Sequence, residues 1–131
     1  MSLNSGAGNV AVGPGQEQYA WLQRDLEANK NANLGKCSLA YWHHPLFTSG
    51  PSAGSNAIMR SIWSLLYDYG VDVVINGHDH LYERFAPQDV NGRRDNFGIQ
   101  EYASAPAARR CTSSGRSCRT ASTGTIVSTA C

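Results

Sequence analysis

The sequence predicts an α/β fold, and three observations carry the prediction. Two short apolar runs, 37–42 and 71–76, each stop abruptly at histidine, as buried strands do where they empty into loops. Between them Ile58, Ile62, Leu65, Leu66 and Tyr69 recur at helical spacing. A strand, a helix and a strand in that order form a crossover unit, which sets the two strands side by side and parallel.

Gly6, Gly8, Gly13, Pro14 and Gly15 give residues 1–15 the composition of a flexible segment. Tyr19, Leu22 and Leu26, with Gln23, Arg24 and Glu27 on the other side, predict a helix from Gln16 to about Asn31. Asn33 and Gly35 follow its end. The first strand begins at Cys37, expected as a small core residue. A loop rich in glycine, serine and proline runs from Thr48 to Gly54, where Ser55 or Asn56 is placed to cap the second helix. Gly70 sits where a helix-ending glycine belongs, and the second strand follows it. Asn91-Gly92 signals a turn, and Phe97 to Tyr102 a further strand.

The 131 residues suffice for one domain of ordinary size. Apolar residues make up 41% and charged residues 16%, and the net charge of +1 conceals an asymmetry. Residues 1–102 hold all ten acids and seven of the eleven basic residues, a net −3, whereas Arg109, Arg110, Arg116 and Arg119 give residues 103–131 a net +4. Such a shift marks a change of structural regime, so the chain divides into segments 1–15, 16–102 and 103–131. No apolar run approaches the roughly 20 residues that cross a bilayer. The N-terminus has neither a basic n-region nor an apolar h-region, so it does not read as a signal peptide. Cys111 and Cys118 fit no common zinc spacing, which leaves the redox compartment open.

Both strands end in histidine at one edge of the sheet: His43 leaves the first, and His78 and His80 leave the second. Ligands gather at that edge of an open parallel sheet because its loops converge there. A neutral imidazole is a good ligand for zinc, iron and manganese. Gly77 is expected to let the backbone turn sharply after the strand. If the backbone stays extended beyond it, His78 and His80 point to one side and serve two adjacent ions. One histidine after a strand is most often a surface residue; the convergence of two such strand ends makes metal binding the better reading.

The stretch Gly77-His78-Asp79-His80-Leu81-Tyr82-Glu83-Arg84 resembles the GHxHxYER block of purple acid phosphatases. Tyr41-Trp42-His43-His44-Pro45-Leu46 resembles the His-x-Pro block of the wider calcineurin-like metallophosphoesterases, and Gln18-Tyr19-Ala20-Trp21-Leu22 with Asp25-Leu26 is similar to a helical segment common in them. The similarity covers roughly residues 12–102. It implies the C-terminal part of an α/β/β/α sandwich and a phosphate ester substrate. It also implies two ions of iron, zinc or manganese, one on His43 and His78 and the other on His80. Two such ions, about 3.5–4 Å apart, polarise the phosphoryl oxygens and activate a water. His44 is the remaining histidine and the candidate general acid. Asp79 either orients a ligand imidazole or faces solvent. Tyr82, Glu83 and Arg84 either brace the loop, by an internal ion pair, or touch substrate. The resemblance also implies a secreted or extracytoplasmic location.

The family's opening Asp-x-His, Gly-Asp and Asn-His blocks do not occur in these residues, so the chain is expected to be a C-terminal portion whose own turnover is weak or absent. Exposed sheet faces and edges in such a portion favour self-association. Residues 103–131 have no acid and no Phe, Tyr, Trp or Leu, the composition of a disordered tail or a basic arm for nucleic acid. A third reading fits better. Back-translated with G/C-rich codons and read one nucleotide earlier, Ala103 onward encodes VGTGGAALYEFGPVVPNSEYRDDSVYGV, similar to closing strands of this family, so a frameshift just after Tyr102 is expected. The functions in contention are a metal-dependent phosphoesterase, an inactive metal-binding remnant and, less favoured, a nucleic-acid-binding module.

Overall fold

The computed structural model describes residues 1–6, 10–30, 36–51 and 56–105. Arg109, Arg110, Arg116, Arg119 and the rest of the proposed frameshifted stretch from 106 onward lie outside the described residues, as does Ser55. Four strands form one sheet: β1 (Leu39–Tyr41), β2 (Val73–Asn76), β3 (Tyr82–Arg84) and β4 (Gln100–Ser104), in the order β1-β2-β4-β3. The expected crossover is present, with β1 and β2 parallel and Tyr41 opposite Ile75. β4 runs parallel to β2, and β3 pairs antiparallel with β4.

Helices α1 (Glu17–Asn29) and α2 (Arg60–Asp68) supply much of the core. Leu22 and Leu26 bury one stripe of α1, as their spacing predicts. A short 3-10 turn, Ala57–Met59, leads into α2. The buried side of that unit is Met59, Ile62, Trp63, Leu65 and Leu66, while Ile58, expected to face inward, is exposed. The 3-10 turn shifts the phase of Ile58 relative to the helix that follows it. Nor does Asn56 cap this unit through its side chain. Gly70 does end α2, with φ of +67°. Its amide bonds the Tyr67 carbonyl at 2.9 Å and the Val71 amide bonds the Leu66 carbonyl at 3.0 Å, the paired closure that a left-handed residue makes available.

Three sequence expectations change here. Cys37 is exposed and disulfide-bonded rather than a small core residue. Residues 1–6 do not behave as a flexible lead: Ser2 bridges Tyr41 in parallel, and Leu3 and Ser5 are buried. The last strand begins at Gln100, leaving Phe97 92% exposed in the turn before it. Among the described residues the two faces of the sheet differ in burial. Ala40, Val74, Asn76, Glu101 and Ala103 are buried, whereas Leu39, Tyr41, Ile75 and Tyr82 stand exposed on the other side.

Candidate metal centre

The parallel register brings the two strand ends together. The Trp42 amide donates to the Ile75 carbonyl at 3.2 Å and the Gly77 amide to the His43 carbonyl at 3.0 Å, so the ladder continues beyond β1 and β2 and sets His43 beside the residue that precedes His78. Asn76, buried at the end of β2, donates from Nδ2 to the Trp42 carbonyl at 3.1 Å and ties the same two ends again.

The turn after Gly77 departs from the extended geometry expected there. Gly77 is not the strained residue; His78 is, with φ of +67°, a left-handed conformation that few non-glycine residues adopt. The Asp79 amide bonds the Gly77 carbonyl at 2.9 Å and the Leu81 amide bonds the Asp79 carbonyl at 2.8 Å, two successive tight turns. Tight turns abolish the alternation that would have pointed His78 and His80 to the same side. His80 is exposed and stands outside the histidine cluster.

His44 joins the cluster in its place. Ligand atoms of His43, His44 and His78 all lie within 4.8 Å of one another. His43 Nε2 and His78 Nδ1 are 3.2 Å apart, and the His44 ring centroid is 4.7 Å from that of His43 and 4.4 Å from that of His78. His44 is anchored on several sides. Its Nδ1 is 2.7 Å from Ser5 Oγ, and its amide donates to the same oxygen at 3.2 Å. Its carbonyl accepts Trp42 Nε1 at 2.8 Å and Asn56 Nδ2 at 3.1 Å. Burial, and then the neighbouring His78 and His43, hold the His44 pKa below the usual imidazole value.

A carboxylate network braces the turn from behind. Asp79, 5% exposed, is buried rather than solvated, and Thr48 Oγ1 lies 2.8 Å from its Oδ2 and 2.9 Å from Glu83 Oε2. Glu83 also accepts the Ser49 amide at 3.1 Å and the Ser49 hydroxyl. Glu83 therefore clamps the loop that follows His44 from β3, by hydrogen bonds. Arg84 stacks over Tyr102 at 5.8 Å, and Tyr82 is exposed. Gly50 permits the approach, since a Cβ there would lie 2.5 Å from the Asp79 carboxylate.

Beneath the same loop sits Glu101, completely buried on β4. Burial pushes its pKa up to about 8; the amides of Phe47 and Leu46 and the Gln88 side chain pull it down, while Glu83 raises it further. Gln88 Nε2 reaches Oε2 at 3.2 Å, but among the described residues no amide reaches Oε1 in hydrogen-bond geometry. Sequence reasoning misses Glu101, Ser5, Thr48 and Gly50. For Glu101 a signal exists, because alternation along β4 puts it on the same side as Ile99 and Ala103. For Ser5 there is none, since it lies 39 residues from His44.

Three imidazoles within reach of one point suit a borderline first-row ion. Among the described residues no carboxylate belongs to this group, and His80 lies outside it.

The chain matches the family model described as calcineurin-like phosphoesterase over residues 5–82. It is 38% identical over 77 residues to purple acid phosphatase 15 of Arabidopsis thaliana, covering 57% of this chain and 14% of that protein. It is 34% identical over 92 residues to an acid phosphatase of Aspergillus ficuum, covering 70% of this chain and 15% of that protein. The purple acid phosphatase PPD1 of yellow lupin superposes with a TM-score of 0.61 at 17% identity, over 80% of this chain and 20% of that one, a likeness of fold. The chain thus spans about a seventh of the length of these two curated relatives.

Proposed function

This chain belongs to the calcineurin-like phosphoesterase family, and from that membership we propose that it is part of a metal-dependent, acid-phosphatase-like hydrolase of phosphate esters. The observation that carries the reading is the convergence of His43, His44 and His78 at the carboxyl edge of a parallel sheet, within the matched residues. A bound ion there would polarise a phosphoryl oxygen and acidify a water. The chain itself supplies the imidazoles, the Asp79–Thr48–Glu83 brace that holds their loops, and the left-handed turn at His78.

His80 is the candidate ligand of a second ion, which would need further donors to join it to the first. His44 as general acid needs a ring nitrogen free to carry a proton, so ion binding is the measurement that separates acid from ligand. Among the described residues the cluster includes no carboxylate, which supports a second reading, in which this chain alone binds metal without turnover. The test is hydrolysis of an aryl phosphate with added manganese, zinc or iron. In a version extended to the length of the relatives, His78→Ala and His80→Ala are each expected to abolish turnover. A wild-type rate in either at saturating metal would overturn that ligand assignment. The exposed side chains of Leu39, Tyr41, Ile75 and Tyr82 on one sheet face support self-association of the isolated chain, which sedimentation measures. No helix among the described residues is long and apolar enough to cross a membrane.

A further inference from the structure

We propose that Glu101 is a positioning residue for the histidine edge: while neutral it seats the loop that follows His44, and on losing its proton it drives that loop away from the sheet. The loop is fastened at two places. At its far end Glu83 accepts the Ser49 amide at 3.1 Å, and Thr48 Oγ1 lies 2.9 Å from Glu83 Oε2. At its near end the amides of Phe47 and Leu46 interact with the Glu101 carboxyl. Pro45 offers no amide, so these two are the first donors after His44.

Glu101 is completely buried and incompletely paired. Gln88 donates to Oε2, whereas Oε1 lacks a hydrogen bond among the described residues. A neutral carboxyl tolerates this, but a buried carboxylate needs further donors or water. Its surroundings oppose the charge. Glu83 on β3 repels it, and Asp79 lies beyond, across Thr48. Arg84 stacks over Tyr102, which alternation places on the other face of β4. The core residues of α2, among them Ile62, Trp63 and Leu66, and Val74 and Asn76 of β2 do not titrate.

Of the parts around Glu101, the loop is the one that yields. β4 is hydrogen-bonded to β2 on one side and to β3 on the other. Gln88 exchanges backbone hydrogen bonds with Ile99 at 3.0 and 3.1 Å, and Gly98 packs so closely on it that a Cβ there would lie 2.5 Å from its backbone. The loop after His44 belongs to no strand. Water that reaches an ionised Glu101 therefore parts Leu46 and Phe47 from β4. Phe47 meets Trp63 edge-on, with ring centroids 5.2 Å apart, and Trp63 is completely buried. Parting the loop uncovers that indole, and Pro45, with its fixed φ, transmits the movement to His44. The movement does not depend on the reaction proposed above and is read without turnover.

The test is acrylamide quenching of tryptophan fluorescence in the full chain carrying Trp21→Phe, which removes the exposed indole and leaves the buried Trp42 and Trp63. From pH 6.5 to 9.5 quenching is expected to rise several-fold with a midpoint of about 8, where the Glu101 carboxyl carbon also titrates by NMR. In Glu101→Gln it should stay low throughout. His44 supplies a readout at the site itself. Its own pKa lies below the usual imidazole value, so an inflection of its ring signals near pH 8 is foreign to it. That inflection is expected in the wild type and lost in Glu101→Gln. Circular dichroism at each pH separates loop movement from unfolding. Glu83→Gln removes a charge that raises the Glu101 pKa, so it should move the quenching midpoint to lower pH, a result that stands even where Glu101→Gln does not fold. Flat quenching while the carboxyl titrates, a carboxyl that titrates in the ordinary acidic range, a rise that persists in folded Glu101→Gln, or an unmoved midpoint in Glu83→Gln would each overturn the proposal.

Discussion

Replacing Glu101 with glutamine should make the protein more stable at pH 8 while changing little at pH 4.5. Glu101 is completely buried, and its pKa is raised from 4.5 to about 8, first of all by burial. Between those two pH values the folded chain keeps a proton that the unfolded chain has released. Stability therefore falls as pH rises through this window; the contribution is complete below about 4.5 and lost as pH passes about 8. At about 1.4 kcal/mol per unit, the full span is worth roughly 5 kcal/mol. Glutamine has nearly the same shape and can still pair with Gln88, but it carries no proton to lose. Urea unfolding of both proteins at pH 5 and pH 8 measures the effect. Wild type is expected to lose several kcal/mol more than Glu101→Gln between the two. Equal losses would refute the reasoning, because the carboxyl would then titrate alike in both states.

Three further outcomes are expected. Gly50→Ala puts a methyl 2.5 Å from the Asp79 carboxylate, so the loop must retreat; a loss of about 1–3 kcal/mol in thermal unfolding is expected, and an unchanged midpoint would show that the loop yields freely. His78→Gly relieves the left-handed strain and should raise the stability of the metal-free chain by about 1 kcal/mol while weakening cobalt(II) binding, a split that unfolding and titration read separately. Resequencing of the coding DNA should reveal a frame change just after Tyr102; an unshifted frame through a normal stop codon would remove that proposal.

The crossover unit, and the edge at which the chemistry gathers, are legible in the residues alone. Apolar runs that stop at His43 and at Gly77-His78 report strand ends, because only an emerging chain exchanges buried β-branched residues for ligands so abruptly. The helix stripes and the stop at Gly70 are legible too, since these depend on residues within one or two turns of one another. Which histidines meet is settled by tertiary structure. His80 matches the motif, yet two tight turns around a left-handed His78 carry it away from the cluster. His44 is oriented by Ser5, whose position depends on the first residues pairing with the edge of β1, a contact that no local pattern encodes. Local spacing fixes directions along a chain only while the backbone stays regular. At this site the backbone turns, and partners distant in sequence decide which histidines meet.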